Sequence, residues 1–380
     1  MSPLADSGSP EAGTVDPLAP TNGTGAPPHP YDAIVVVSFG GPEGMADVMP
    51  FLENVTRGRN IPRERLEDVA HHYALFGGVS PINAQNRALV AALEHVLAAE
   101  GPRVPVYWGN RNWQPFLTDT VRQMAADGVR HAAAFVTSVY SSFSGCRQYR
   151  ADIAAAQAAV GPGAPNIDKL RTFFNHPGFV EPQAERLRTA LNGLDEARRA
   201  AAVVVFSAHS IPLAMAQSSR YVEQLGEASR LIAAAAGLEG PTRVVFQSRS
   251  GPPHQPWLEP DVGDVAAELA ARGVTDLVVV PIGFISDHIE VVFDLDTELA
   301  ERCRTLGVRL TRVPTVGTDP AFVRMIRDLV VERQTPGAAR PALGDLGAGH
   351  DVCPAYCCWY EPTTGRPSSP PTSASDVASS

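Results

Sequence analysis

Val203-Val-Val-Phe-Ser-Ala-His-Ser-Ile-Pro212 is a short apolar run that breaks into a polar loop. A run this short, rich in β-branched residues, reads as a strand buried on both faces. Outward from it the pattern alternates. A helical stretch covers about Tyr221 to Ala236, and strand Arg243-Val-Val-Phe246 leads into a proline-rich loop to Pro260. Helix Val262 to Ala271 and strand Asp276-Leu-Val-Val-Val280 follow. Two long helices close this half, at about Asp287 to Leu306 and Pro320 to Arg333. Strands and helices in alternation imply a parallel sheet covered by helices.

The first half reads the same way. Strand Ala33-Ile-Val-Val-Val37 ends in Ser38-Phe-Gly-Gly-Pro42, and a helix runs from Ile82 to about Ala99. Strand Val104 to Trp108, helix Leu117 to Ala126 and strand Ala132 to Val136 follow, leading into Ser141-Ser-Phe-Ser-Gly145. The halves match in detail: Val106-Tyr-Trp108, Pro115 and Gly128-Val129 mirror Val244-Val-Phe246, Pro256 and Gly273-Val274. The expected fold class is therefore α/β, with two similar Rossmann-like domains, each a parallel sheet flanked by helices, and a cleft between them. The expected units are 31–165 and 166–314, with a closing helix over 315–335 that packs back on the first. Residues 1–30 read as a disordered tail, and 336–380 as linker, cysteine cluster and tail. In open α/β sheets ligands bind beyond the carboxyl ends of the strands, so the strand-end loops are where chemistry is sought.

Composition narrows the function classes. The 380 residues are 44% hydrophobic, which supplies real cores, and the net charge is −10, which argues against a nucleic-acid binder. Lys169 is the only lysine among 31 basic residues, so nearly all cationic sites are guanidinium forks. No run of 18 uncharged apolar residues occurs, so no transmembrane segment is expected. The first 30 residues lack the basic and apolar regions of a secretory signal, so the expected compartment is a reducing cytoplasm with free or metal-binding thiols. Neither G-x-G-x-x-G after the first strand nor G-x-x-x-x-G-K-[ST] is present, so nucleotide binding lacks its fingerprint.

His209 sits just past a strand, where an imidazole serves as base or metal ligand; a loop histidine bonded to backbone is the alternative. Glu290, Asp294 and Glu298 recur at i, i+4, i+8 on the helix after the last long strand. Each like-charged pair costs about 0.2–0.5 kcal/mol, so solvent, a cation or a proton must offset it. The alternative is a solvated face with a capping box, Asp287 as N-cap and Glu290 at N3. Beside His209, a divalent-cation path is the better reading, and nitrogen with carboxylate oxygen suits iron, zinc or cobalt over magnesium. Arg57 and Arg59 are either a carboxylate fork at the cleft edge or a solvated turn. Ser80 and Pro81 read as the N-cap and first residue of the helix that follows. Cys303 reads as a core residue. Cys353, Cys357 and Cys358, with remote Cys146, make four thiolates for an iron–sulfur or zinc site, unless they are incidental in a mobile tail.

These segments resemble the ferrochelatase family over roughly 31–335. The resemblance is carried by Ser38-Phe-Gly-Gly-Pro42, Gly77-Gly-Val-Ser-Pro81, Phe206-Ser-Ala-His-Ser210, Phe246-Gln-Ser-Arg249, Pro256-Trp-Leu-Glu-Pro260 and Pro281-Ile-Gly-Phe-Ile-Ser-Asp-His-Ile-Glu290. It implies insertion of ferrous iron into a porphyrin, both being substrates, with release of two protons. By the resemblance His209 and Glu290 are catalytic and meet the iron, and Asp294 and Glu298 deliver metal or carry protons away. Ser80, Tyr149, Arg57, Phe39 and Trp257 are the expected porphyrin contacts. Cys146, Cys353, Cys357 and Cys358 are the expected ligands of a [2Fe-2S] cluster.

The stretch from Arg59 to Gly77 is short and charged, which resembles the soluble members that use coproporphyrin III to give coproheme in haem biosynthesis. Protoporphyrin IX is the alternative substrate. Phe39 and Asn112 stand where some of those members carry a tyrosine and a histidine. Contact with the enzymes before and after it in haem synthesis is a further expectation. A non-enzymatic tetrapyrrole or metal binder and an iron–sulfur sensor are the other readings, and neither accounts for His209 and the acidic row together.

Overall fold

The computed structural model describes residues 30–58, 61–252 and 254–360. The expected tails over 1–29 and 361–380, and Arg59, lie outside the described residues.

In the first half β1 (Ala33–Ser38) is followed by α1 (Met45–Val55), α2 (Arg63–Ala74) and α3 (Ile82–Glu100), then β2 (Val106–Asn110), α4 (Leu117–Ala126) and β3 (His131–Val136). A π-helical turn, Phe143–Arg147, opens α5 (Gln148–Val160), and β4 (Asn166–Lys169) completes the sheet. Then come α6 (Pro177–Asn192), α7 (Glu196–Ala201), β5 (Val203–His209), α8 (Leu213–Gln217), α9 (Tyr221–Ala235), β6 (Val244–Gln247), α10 (Val262–Ala271) and β7 (Asp276–Val280). The helix after β7 is α11 (Ile289–Phe293), a π-helical segment Asp294–Leu299 and α12 (Ala300–Leu306) in one run, followed by β8 (Arg309–Arg312) and α13 (Pro320–Gln334).

Each half is a four-stranded, all-parallel sheet, and the two share one order: β2-β1-β3-β4 and β6-β5-β7-β8. The α/β duplication expected from the sequence is thus present. Alternation along the strands explains the layers. Ile34 and Val36 of β1 face the large core shared with α3, α6, α9 and α13, whereas Val35 and Val37 face a second core with α4 and α5. Phe206 and Ala208 of β5 enter that same shared core from the other sheet, and Val205 faces a third core with α10 and α12. A smaller cluster joins α1 and α2 to Trp113 and Phe116 and reaches Ile289 at the start of α11.

β4 corrects the boundary expected between 165 and 166. Asn166–Lys169 pairs with β3, so the chain leaves the first sheet only after Lys169. Its polar sequence, Asn-Ile-Asp-Lys, carries no buried-strand signature because it lies on the sheet edge. α13 packs against both α3 and α6. No helix among the described residues is long and apolar enough to cross a membrane.

Candidate active site

In both sheets the chain reverses direction of winding between the first and third strands, which opens a crevice at their carboxyl ends. His209 is the last residue of β5, and the loop 281–288 leaves the neighbouring β7. The loop can lie against β5 because of Gly283, whose N–H donates to the Ser207 carbonyl at 3.1 Å. A Cβ there would meet Ala208 Cα at 2.7 Å, so a side chain would push the loop off the strand.

This placement sets His209, His288 and Glu290 together. His209 Nε2 is 3.9 Å from Glu290 Oε2, and His288 Nε2 is 3.5 Å from the same oxygen. Backbone partners assign the tautomers. His209 Nδ1 abuts the Ser210 carbonyl, which only accepts, so Nδ1 carries a hydrogen and, in the neutral ring, Nε2 is the bare nitrogen. His288 Nδ1 receives the Val291 N–H at 3.3 Å, so its Nε2 carries the hydrogen. Burial lowers the His288 pKa, favouring this neutral form, although Glu290 pulls the other way. A bare nitrogen facing a carboxylate oxygen across 3.9 Å is a gap suited to a proton or a metal ion.

His288, not Asp287, is therefore the N-cap of α11. Asp287 instead pairs with Arg312 at 2.8 Å, and Arg312 also holds Asp296 of the π segment at 2.5 Å. The alternative capping box, with Asp287 as N-cap, is absent: the His288 imidazole takes the free N–H of Val291 instead.

The π segment shapes the acidic row. In a regular α-helix the third member would be rotated about 80° from the first. The wider π turn over Asp294–Leu299 reduces that offset. The row runs from half-buried Glu290 and Asp294 to exposed Glu298. Asp294 receives the hydroxyl of Ser248 and, at 3.5 Å, the amide of Gln247. Burial pushes its pKa up to about 7, against the lowering effect of Ser248, with Glu290 and Glu298 adding to the rise. Ser248 stands in the left-handed region at φ 62°, a conformation costly for a non-glycine residue. The α2 helix covers this row: His72 stacks on Phe293 at 4.0 Å, and buried Tyr73 feels the Glu290 charge.

The expected ring contacts are distributed along the strand-end loops. Phe39 follows β1, and the Arg111 guanidinium lies 5.8 Å from its ring and 4.9 Å from that of Tyr149. Tyr149 is only 5% exposed, so at most its edge meets the cleft. Trp257 bridges to Pro212 beyond β5, and its ring occupies the space above Gly251. Arg57 is half-exposed on the turn after α1, with no side-chain partner among the described residues. Ser80 does not cap α3; the cap position is Pro81. Ser80 is buried and its N–H donates to the Pro42 carbonyl, tying the two glycine turns together.

Cys146, on the π turn before α5, contacts the thiols of Cys353 and Cys358, and Cys357 contacts the same two. The Cys357 and Cys358 sulfurs are 3.8 Å apart. Left-handed backbone at Tyr356 (φ 59°) and Cys358 (φ 56°) turns these adjacent cysteines toward one point. Thiol hydrogen bonds hold Cys146 and Cys357 low in pKa and Cys353 and Cys358 high. Cys303 is buried in the core below β7.

A family model for ferrochelatase matches residues 31–334. The chain belongs to the ferrochelatase family. A curated ferrochelatase of Rhodopirellula baltica is 54% identical over 334 residues, 88% of this chain and 95% of its own. The coproporphyrin III ferrochelatase of Streptomyces griseus subsp. griseus is 51% identical over 87% of this chain and 94% of its own. That of Frankia alni is 53% identical over 87% of each. As a ferrochelatase, the chain is an enzyme that inserts iron into a porphyrin in haem biosynthesis. Ferrochelatase chemistry removes two pyrrole protons as the metal enters, which calls for a base beside the macrocycle. His288 lies in the segment that carries the resemblance but has no role assigned from the sequence; its position two residues before Glu290 was the available signal. Ser248, Arg111, Tyr73 and Arg312 were also missed, because each acts through a contact distant in sequence.

Proposed function

We propose that this ferrochelatase inserts ferrous iron into coproporphyrin III in the cytoplasm, with His209 as the base. The observation that carries the mechanism is Nε2 of His209 facing Glu290 Oε2 across 3.9 Å. His209 takes a pyrrole proton, Glu290 receives it, and Asp294 and Glu298 pass it outward along the π segment. Asp294 suits a relay because a carboxyl with a pKa of about 7 gains and loses a proton readily near neutrality. A second proton leaves the same way, so two protons are released for each Fe2+ bound. Neutral His288 donates toward Glu290 and steadies its charge after each transfer. Phe39 and Trp257 meet the flat ring, Tyr149 offers it an edge, buried Ser80 backs the glycine turn beneath, and Arg57 awaits a propionate.

The substrate assignment draws on the relatives named above and on α2. Its sequence, Arg-Glu-Arg-Leu-Glu-Asp-Val-Ala-His-His-Tyr-Ala, buries Leu66 and Tyr73 and exposes charged residues at the rim. A hydrophilic helix suits a more polar ring better than an apolar lip would, although its two arginines are already paired with Glu53, Glu67 and Asp68. Purified enzyme should insert iron into coproporphyrin III much faster than into protoporphyrin IX. Equal or inverted rates would overturn the assignment.

Cys146, Cys353, Cys357 and Cys358 are the proposed ligands of a [2Fe-2S] cluster. Among the described residues no three His, Cys, Asp or Glu side chains are preassembled round one metal position. The fit rests instead on donor chemistry: four thiols in a closed ring of contacts match the four sulfur ligands of a two-iron cluster. Such a group supplies a one-electron redox centre. Anaerobic purification should give brown protein containing iron and sulfide; colourless folded protein would refute the cluster.

A further inference from the structure

Tyr360 touches both lobes at once. Its ring meets Phe143, the first residue of the π-helical turn after β3, edge to face at 5.9 Å. Its hydroxyl oxygen receives the Gln255 amide N–H at 3.4 Å. Gln255 stands two residues before Trp257, and its amide oxygen accepts the Trp257 indole N–H at 3.3 Å. An indole N–H can only donate, so the amide oxygen must face Trp257 and the amide nitrogen must face Tyr360. The contacts thus form one directed chain, from Trp257 through Gln255 to Tyr360. The residues just before Tyr360 are fastened to the first lobe: the Arg147 guanidinium covers the Trp359 ring at 4.6 Å and donates to the Cys357 carbonyl at 3.3 Å.

The backbone of the loop that bears Trp257 is held within its own lobe. Arg249 donates to the Pro252 and Gln255 carbonyls. The Leu213 and Leu258 N–H groups donate to the Pro256 and Ile211 carbonyls at 2.9 and 3.0 Å, tying the loop to the segment that follows His209. The Trp257 side chain is half-buried, and its single polar atom is taken by Gln255. We propose that Tyr360 is a positioning residue for the porphyrin wall: through Gln255 it fixes the rotation of the Trp257 ring and anchors that ring to the first lobe. The inference rests on the reading of Trp257 as a porphyrin contact. Tyr360 acts through another side chain and touches no reacting atom.

The test uses full-length protein carrying Tyr360→Phe, Gln255→Leu, Trp257→Phe or Trp257→Ala, and Tyr360→Phe combined with Gln255→Leu or with Trp257→Phe. Tyr360→Phe removes one oxygen and keeps the contact with Phe143, so its melting temperature should match wild type. Kd for coproporphyrin III is read by absorbance titration, and KM and kcat by iron insertion. Tyr360→Phe and Gln255→Leu should each raise Kd and KM about two- to tenfold, the effect of one hydrogen bond, with kcat nearly unchanged. Tyr360→Phe/Gln255→Leu should bind no more weakly than Gln255→Leu, because both act through one path. In the Trp257→Phe background, which has no indole N–H to orient, Tyr360→Phe should change nothing. Unchanged affinity in Tyr360→Phe, or the same loss in the Trp257→Phe background as in wild type, would overturn the proposal while leaving Trp257 as a contact. Wild-type affinity in both Trp257→Phe and Trp257→Ala would instead sink that contact, and the inference with it.

Discussion

His209 and His288 turn opposite ring chemistry, a bare nitrogen and an N–H, toward one oxygen of Glu290. In the proposed mechanism one imidazole takes a proton and the other steadies the carboxylate that receives it. His209→Ala should therefore abolish iron insertion while porphyrin still binds, as followed by absorbance titration. Near-normal turnover would remove its assigned role.

Glu290→Gln keeps the size of the side chain and removes its charge. Turnover should fall by about 10²–10⁴, the usual worth of a positioned proton acceptor. KM for porphyrin should change little. A rise in KM at constant kcat would make Glu290 a binding group instead.

His288 has two separable functions, cap and donor. Asparagine also caps helices, so His288→Asn should melt close to wild type yet turn over slowly. His288→Ala should lose the cap as well, at a cost of about 0.5–2 kcal/mol. Equal activity in His288→Asn and wild type would show that only the cap matters.

Asp294 predicts a pH effect of definite sign. Its folded pKa is raised to about 7 from 3.8, chiefly by burial, so the folded state holds the proton more tightly than the unfolded chain. The stabilisation this gives the protonated form is present below pH 4 and lost as pH rises toward 7. Asp294→Asn should thus gain melting temperature relative to wild type at pH 8 and not at pH 4. A constant difference across that range would contradict the burial argument.

Arg111 and Asp152 form an ion pair at 2.9 Å, with side chains 4% and 0% exposed, and the Gln148 amide donates to Asp152 Oδ1 at 3.0 Å. Arg111→Met strands a buried carboxylate and should cost about 3–5 kcal/mol in urea unfolding. The double variant Arg111→Met/Asp152→Leu should recover much of that loss. No recovery would mean that the guanidinium's stacking on Tyr149 and Phe39 matters more than its charge.

The central strands were legible because they are buried on both faces: Ala33-Ile-Val-Val-Val37 and Asp276-Leu-Val-Val-Val280 leave no polar alternation to confuse. The edge strands β4 and β8 were not, since Asn166-Ile-Asp-Lys169 and Arg309-Leu-Thr-Arg312 are four-residue, polar and only partly buried. The carboxylate row was visible as spacing, yet its π turn was not, because i, i+4 periodicity does not reveal an extra residue per turn. His209 stood out by its place at a strand end. His288 did not, since its cap bond and its distance to Glu290 depend on the Gly283 loop lying against β5. The Ser80 cap was misread because the helix begins one residue later, at the Pro81 cap, with Ser80 in the turn tied to the distant Pro42 carbonyl.

The Gln85 side chain grips both main-chain groups of Asp287, donating to its carbonyl at 3.1 Å and accepting from its N–H at 2.9 Å. Tyr140 adds a second rivet, its hydroxyl on the Ile282 carbonyl at 3.1 Å. The loop bearing His288 is thereby bolted to the opposite lobe. Widening the crevice beside His288 would have to break those three hydrogen bonds together.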